Sequence, residues 1–171
     1  MDHPVIHVNW NDVSAYARWI GKRLPTEAEW EKAARGGTGT NWFWGDQLGD
    51  VGKYANFYFE HRLDYQYEDI RDVADGYSKT ASVGSLRPNN FGLYDTAGNV
   101  WEWTADWYQY DYFDGSSQSN PKGPSSGTEK VIKGGGWYLC ECYLRSANRE
   151  AGDPITRHDS GLGFRLALDA K

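Results

Sequence analysis

The sequence predicts an α+β domain in which two short helices near the N-terminus are followed by short aromatic strands and much irregular loop. Three observations predict it. Apolar residues recur at helical spacing between cap residues twice before Gly37 and not afterwards. From "NWFWGD" onwards, short aromatic runs are punctuated by Gly, Pro, Asn and Asp, the pattern of strands joined by turns. Finally, 9 Trp, 12 Tyr and 6 Phe stand beside 20 Gly, which suits a loop-rich chain whose core is made of large flat side chains.

The first helix follows "VNWN". Asn11 is placed as its cap, Val13, Tyr16, Ala17 and Ile20 recur along one face, and Gly21 stops it. The second follows Pro25. Thr26 and Glu29 form a capping box, Trp30, Ala33 and Ala34 supply the apolar stripe, and Gly36-Gly37 end it. In "WEW" an extended backbone puts Trp101 and Trp103 on one face and Glu102 on the other. The stretch "DGSSQSNPKGPSSGTEK" reads as a surface loop. No internal repeat or linker divides the chain, so residues 1–171 are expected to form one domain; that length buries about 70% of the surface an unfolded chain exposes.

Eighteen basic against 24 acidic residues leave a net charge of −6, which argues against a general nucleic-acid partner. No apolar run approaches the ~20 residues that cross a bilayer, and "MDHPVIHVNW" lacks the pattern of a signal peptide. A cytoplasmic location is therefore expected unless a partner carries the chain to a surface. Cys140 and Cys142 are one residue apart. On an extended chain such neighbours sit near the upper limit of bridging distance, so free thiols and a reducing compartment are expected.

Glu102 emerges from a wall of indole seven residues after Asp95, with a Gly98-Asn99 turn between them. Two carboxylates and turn carbonyls are oxygen ligands that suit Ca²⁺, whereas the same Glu102 could simply accept hydrogen bonds from its surroundings. Among the histidines, His3, His7 and His61 form no metal-like spacing, and no phosphate-cradling loop or Ser/His/Asp order stands out.

Taken together, "PVIHVNWNDVSAYARWIGKRLPTEAEWEKAARGG", "GLYDTAGNVWEWTADWY", "KVIKGGGW", "LRSANR" and "GFRLA" resemble, in order and over nearly the whole chain, the formylglycine-generating-enzyme/sulfatase-modifying-factor domain, a version of the C-type lectin fold. The resemblance implies two short helices, a small antiparallel sheet and two structural calcium sites. Matched residue by residue, the first site would use Asn56 and Asp75 with the carbonyls of Phe57 and Tyr77. The second would use Asp95 and Glu102 with the carbonyls of Gly98 and Val100. The usual N-terminal strand and helix of the family are expected to be lacking, since the chain starts almost directly on "PVIHV".

The family's enzymes carry two copper-binding cysteines separated by four residues, a spacing that Cys140 and Cys142 do not match. An oxidase using this pair with Cu(I), helped by His158, is one reading, because two thiolates bind Cu(I) but need a suitable geometry. A plain structural module is another. The favoured reading comes from the tail, where framework residues Trp137, Tyr143, Leu144, Arg145, Ala147, Arg149, Pro154, Arg157, Gly163, Phe164 and Arg165 alternate with miscellaneous ones. The latter are Tyr138, Leu139, Cys140, Cys142, Ala151, Gly152, Asp153, Ile155, Thr156, His158, Asp159, Ser160, Gly161 and Leu162.

Each of these fourteen belongs to the set reachable when the adenines of an Asn codon are replaced; Lys, Glu, Gln, Met and Trp cannot be reached and are missing from those positions. Some members of the resembled family are variable proteins of diversity-generating retroelements, whose C-terminal region is rewritten in this way and displayed. The resemblance thus implies a non-catalytic binder of a protein or other macromolecular ligand. It also implies that Trp101, Trp103, Trp137, Leu144 and Phe164 are core while Tyr138, Leu139, Ile155 and His158 are exposed.

Overall fold

The computed structural model describes residues 2–58, 75–114, 119–157 and 161–169. Helix α1 spans Trp10–Trp19 and buries Val13, Ser14 and Ala17. Its cap is Asn9, not Asn11. The Asn9 side chain accepts the Asp12 N–H at 2.9 Å and the Asp12 carboxylate accepts the Asn9 N–H at 3.2 Å, a reciprocal box whose cap lies before the expected one. Helix α2, Glu27–Arg35, keeps the predicted Thr26/Glu29 box and ends at Gly36, whose left-handed φ of 57° suits glycine. Its orphan carbonyls at Ala33 and Ala34 are met by the Asn89 side-chain amide at 2.7 and 3.0 Å.

Four strands form one sheet in the order β3-β2-β1-β4: β1 Trp101–Trp107, β2 Lys130–Lys133, β3 Glu150–Gly152 and β4 Leu162–Phe164. β2 is antiparallel to β1 and to β3, but β4 runs parallel to β1, with Trp101 opposite Leu162 and Trp103 opposite Phe164. The sheet is therefore mixed, not antiparallel. β3 and β4, on opposite edges of the sheet, therefore run in the same direction.

The core has two parts. Val13, Leu24, Trp101, Trp103, Ile132 and Leu162 cluster between α1 and the sheet; Trp42, Phe43, Val51, Ala55, Phe57, Ala97 and Leu144 form the other group beneath the loops. Trp101, Trp103 and Leu144 are buried as expected, whereas Trp137 and Phe164 are only half-buried. Burying a side chain of Leu or Val size contributes about 1.5–3 kcal/mol. Indoles bury more area per residue, which lets a chain with so little regular structure hold together.

Candidate functional site

The C-terminal connections are fixed to the core by charged groups, of which Arg149, Arg165 and Glu102 stood out in the sequence and Glu27, Glu31 and Lys133 did not. Glu27, on the first turn of α2 and 2% exposed, receives Arg149 through Nε at 2.7 Å and Nη2 at 2.8 Å. Arg149 also donates to the carbonyls of Gln109 and Tyr110 at 2.7 and 3.3 Å and lies over the Tyr108 ring. Beside it Lys133 is fully buried, 3.2 Å from Glu31 and 3.8 Å from Glu27, and burial holds its ammonium below its usual pKa. Arg165 forks onto Glu102 and donates to the Asp95 carbonyl at 2.9 Å; the Trp30 indole donates to the same Glu102 carboxylate at 2.6 Å. Paired this way, buried charges keep their desolvation cost compensated.

Lys130 is held differently. Its ammonium sits 4.1 Å from the Trp10 ring centroid and 3.7 Å from that of Trp107, and donates to the Ala105 carbonyl at 2.8 Å. Burial lowers its pKa to about 8, against the attraction of Asp106. Asp106 accepts the Glu27 N–H at 2.7 Å, and burial raises its own pKa to about 6. "KVIK" thus buries both lysines at its ends. Nothing in the sequence around "KVIK" marked these two lysines as buried.

Between these anchors the tail exposes side chains. After β2 come Tyr138, Cys140 and Cys142, all exposed, and Leu139, which is half-buried and packs on the main core cluster. After β3 come Asp153, Ile155 and Thr156, all exposed, Ile155 at 70%. Asp153 closes this turn by accepting from the Ile155 N–H at 3.1 Å and the Thr156 hydroxyl at 2.9 Å. His158, Asp159 and Ser160 lie outside the described residues.

Four placements correct the expected surface. Leu162 is 2% exposed as the first residue of β4, and Gly161 just before it is buried against Tyr138. Gly152 is buried in β3, where any Cβ would run into the Trp103 ring. Leu139 faces inward and is not displayed. A codon test has no access to burial, and these positions are set by strand pairing between residues far apart in sequence. Ala151, paired with Val131, is intermediate.

The cysteines are a fifth correction. Cys140 and Cys142 are joined in a disulfide with their Cα atoms 5.5 Å apart, and no described cysteine is free. The expectation of free thiols assumed an extended chain. Glu141–Leu144 is instead a turn of 3₁₀ helix, which shortens the distance between the pair.

The expected cation ligands are brought together to different degrees. Asn56 is 1% exposed, and its Oδ1 is buried without a hydrogen-bond donor, while its amide nitrogen donates to the Lys79 carbonyl at 2.8 Å. Asp75 is drawn to the same corner by accepting the Phe57 and Tyr77 N–H groups, each at 2.8 Å, and burial raises its pKa. An orphaned amide oxygen, a carboxylate and the adjoining carbonyls of Phe57 and Tyr77 are hard oxygen donors, and this set fits a calcium ion. At the second set, Asp95 and Asn99 adopt left-handed φ values of 55° and 64°. Gly98 between them lies against the Asn56 backbone so closely that no Cβ fits.

Asp95 there keeps a buried Oδ1 without a donor, but Glu102 is taken up by Arg165 and Trp30. A guanidinium already neutralises the carboxylate that a dication would need, so Asp95, Gly98, Val100 and Glu102 do not fit a full calcium shell. Asp95, Val100 and Glu102 border a cleft of about 530 Å³ walled by Tyr16, Tyr94 and Phe164.

A family profile described as the sulfatase-modifying factor enzyme 1-like domain matches residues 1–170. The chain belongs to this family. It is 46% identical over 173 residues to the formylglycine-generating enzyme of Streptomyces coelicolor, covering 99% of this chain and 54% of that protein. It is 45% identical over 174 residues to the formylglycine-generating enzyme of Bos taurus, covering 98% and 44%. The chain thus spans about half the length of these curated relatives.

Among solved structures, Treponema denticola variable protein 1 superposes with a TM-score of 0.82 at 28% identity, covering 96% of this chain and 70% of that one. PvdO from Pseudomonas aeruginosa superposes at 0.80 with 32% identity, covering 96% and 61%. The fold is the C-type lectin fold in the form this family uses. Among the described residues no helix is long and apolar enough to cross a membrane.

Proposed function

We propose that the chain is a non-catalytic ligand-binding module which presents the exposed side chains of its C-terminal connections on a scaffold that does not depend on them, as a variable protein of a diversity-generating retroelement does. One observation carries this reading: the side chains that hold the tail are not those that it exposes. Arg149, Arg165, Lys133, Leu144 and Leu162 tie the connections to Glu27, Glu102, Glu31 and the core. Cys140, Cys142, Ile155 and Thr156 point outwards between them, and Tyr138 keeps part of its ring open. Residues that carry no packing load can be exchanged at little cost to folding. An exposed mixture of aromatic, aliphatic and small polar groups suits a protein or other macromolecular partner, with a rigid aromatic surrounded by adaptable contacts. The likeness to a protein named a variable protein supports the same reading.

Calcium belongs to this reading as a structural ion. Asn56, Asp75 and the carbonyls of Phe57 and Tyr77 would hold it, and its charge would tie the loop after Val51–Lys53 to the segment around Asp75 beneath the scaffold.

The alternative, a copper-dependent oxidase, draws its support from the relatives named formylglycine-generating enzymes. It would need both thiols reduced and turned onto one Cu(I), from a pair one residue apart that here bond to each other. The deciding experiment incubates the reduced chain with Cu(I), oxygen and a sulfatase-type peptide containing cysteine, beside the variant Cys140→Ser/Cys142→Ser, and reads peptide mass. The binder leaves the peptide unchanged in both reactions. Aldehyde formed by the parent and not by the variant establishes the oxidase.

A further inference from the structure

Tyr138 does not stand free on the exposed connection. Its ring folds back over the entry to β4 and rests on two residues without side chains. A Cβ on Gly136 would lie 3.1 Å from Cε1 of the ring, and one on Gly161 would lie 3.1 Å from Cδ1 and nearer still to Cε1. The Gly161 backbone cannot retreat, because its carbonyl accepts the Trp101 N–H at 2.7 Å at the start of β1. The other sides of the seat are the Trp101 side chain, which hydrogen-bonds to Tyr138, and the Trp137 ring, set edge-on at 5.5 Å. Gly161 does not adopt the left-handed backbone that would by itself demand glycine. What demands it is the ring of Tyr138.

We propose that Tyr138 and Gly161 are a coupled pair within the binding face. The missing side chain at 161 makes the seat that fixes Tyr138 as a preset aromatic anchor, and any larger residue there expels the ring. This rests on the reading of the tail as a ligand-binding surface. On that reading the two positions are not independent: an aromatic at 138 presents one edge and one face to a partner only while 161 stays bare. With 41% of its surface still open, the anchored ring meets an apolar recess on a protein partner without first losing side-chain freedom.

A mutant cycle tests the pair. Gly161→Ala, Tyr138→Ala and the double variant are compared by thermal midpoint, and 3-fluorotyrosine at position 138 reports the ring's surroundings by ¹⁹F shift. Gly161→Ala should lower the midpoint by several degrees and move the ¹⁹F signal towards that of solvated tyrosine. In the Tyr138→Ala background the same change should lower the midpoint little. Should Gly161→Ala fail to fold, folding of the double variant supports the pair and its failure overturns it. An equal drop in both backgrounds, or no drop beside Tyr138, also overturns it. The cycle reads the free chain, so a surface that binds nothing would leave it intact, and loss of the coupling would leave the binding reading standing.

Discussion

Arg149 and Glu27 face each other across 122 positions of sequence through two hydrogen bonds, and Glu27 is 2% exposed. The pair ties the turn before β3 to α2. Removing Arg149 leaves the buried Glu27 carboxylate with the more distant Lys133 ammonium, 3.8 Å away, in place of its two hydrogen bonds, so Arg149→Met should cost about 3–5 kcal/mol in urea unfolding. Ile155→Ala and Thr156→Ala, a few residues on, should each shift stability by no more than about 0.5 kcal/mol. Similar losses for all three would mean that the tail does not separate anchors from displayed residues.

Leu162 was expected on the surface and lies in the core. Leu162→Ala should therefore cost about 2–5 kcal/mol, as truncations of packed leucines do. A cost below about 0.5 kcal/mol, the range of exposed sites, would restore it to the displayed set.

Calcium should raise the thermal midpoint of the parent chain, because an ion bound only by the folded state stabilises it by about 2.7 kcal/mol at a hundred times its dissociation constant. Asp75→Asn removes a charged ligand and should abolish the response, while Glu102 stays paired with Arg165 throughout. A parent midpoint that is the same with calcium and with chelator contradicts the assignment of Asn56 and Asp75.

Lys130 predicts a pH dependence of definite sign. Folding holds its pKa at about 8 against an ordinary value of 10.5. Between those values the unfolded chain binds the proton and the folded chain does not, so stability rises with pH. The contribution is complete above 10.5 and is lost as pH falls through about 8. Lys130→Met should lack this rise, which urea midpoints of the two proteins at pH 7.5, 9 and 10 would read. Parallel curves would show that the two indoles leave the ammonium as it is in water.

The features legible in the sequence were the local ones. Thr26 and Glu29 announce α2 because a capping box is complete within four residues; the cap of α1 was placed at Asn11 and not Asn9 because its box closes with the shorter Asp12 in place of Glu. The parallel pairing of β4 with β1 joins Trp101 to Leu162, and no pattern inside either strand states it. The burial of Lys130 and Lys133 depends on Trp10, Trp107, Glu27 and Glu31, none of them near either lysine in the chain. In the tail, chemical miscellany marked connections and strand residues alike, and could not separate the exposed Ile155 from the buried Leu162. Both residues satisfy the same codon rule, and only strand pairing distinguishes them.

The separation of scaffold from displayed side chains is tested most directly by randomising Cys140, Cys142, Ile155 and Thr156 together, with Tyr138 and Gly161 kept, and measuring the unfolding midpoint of many unselected variants. If these residues carry no packing load, most variants unfold cooperatively with midpoints close to that of the parent. A population that mostly loses cooperative unfolding would contradict the account, because side chains needed for the fold could not serve as an exchangeable binding surface.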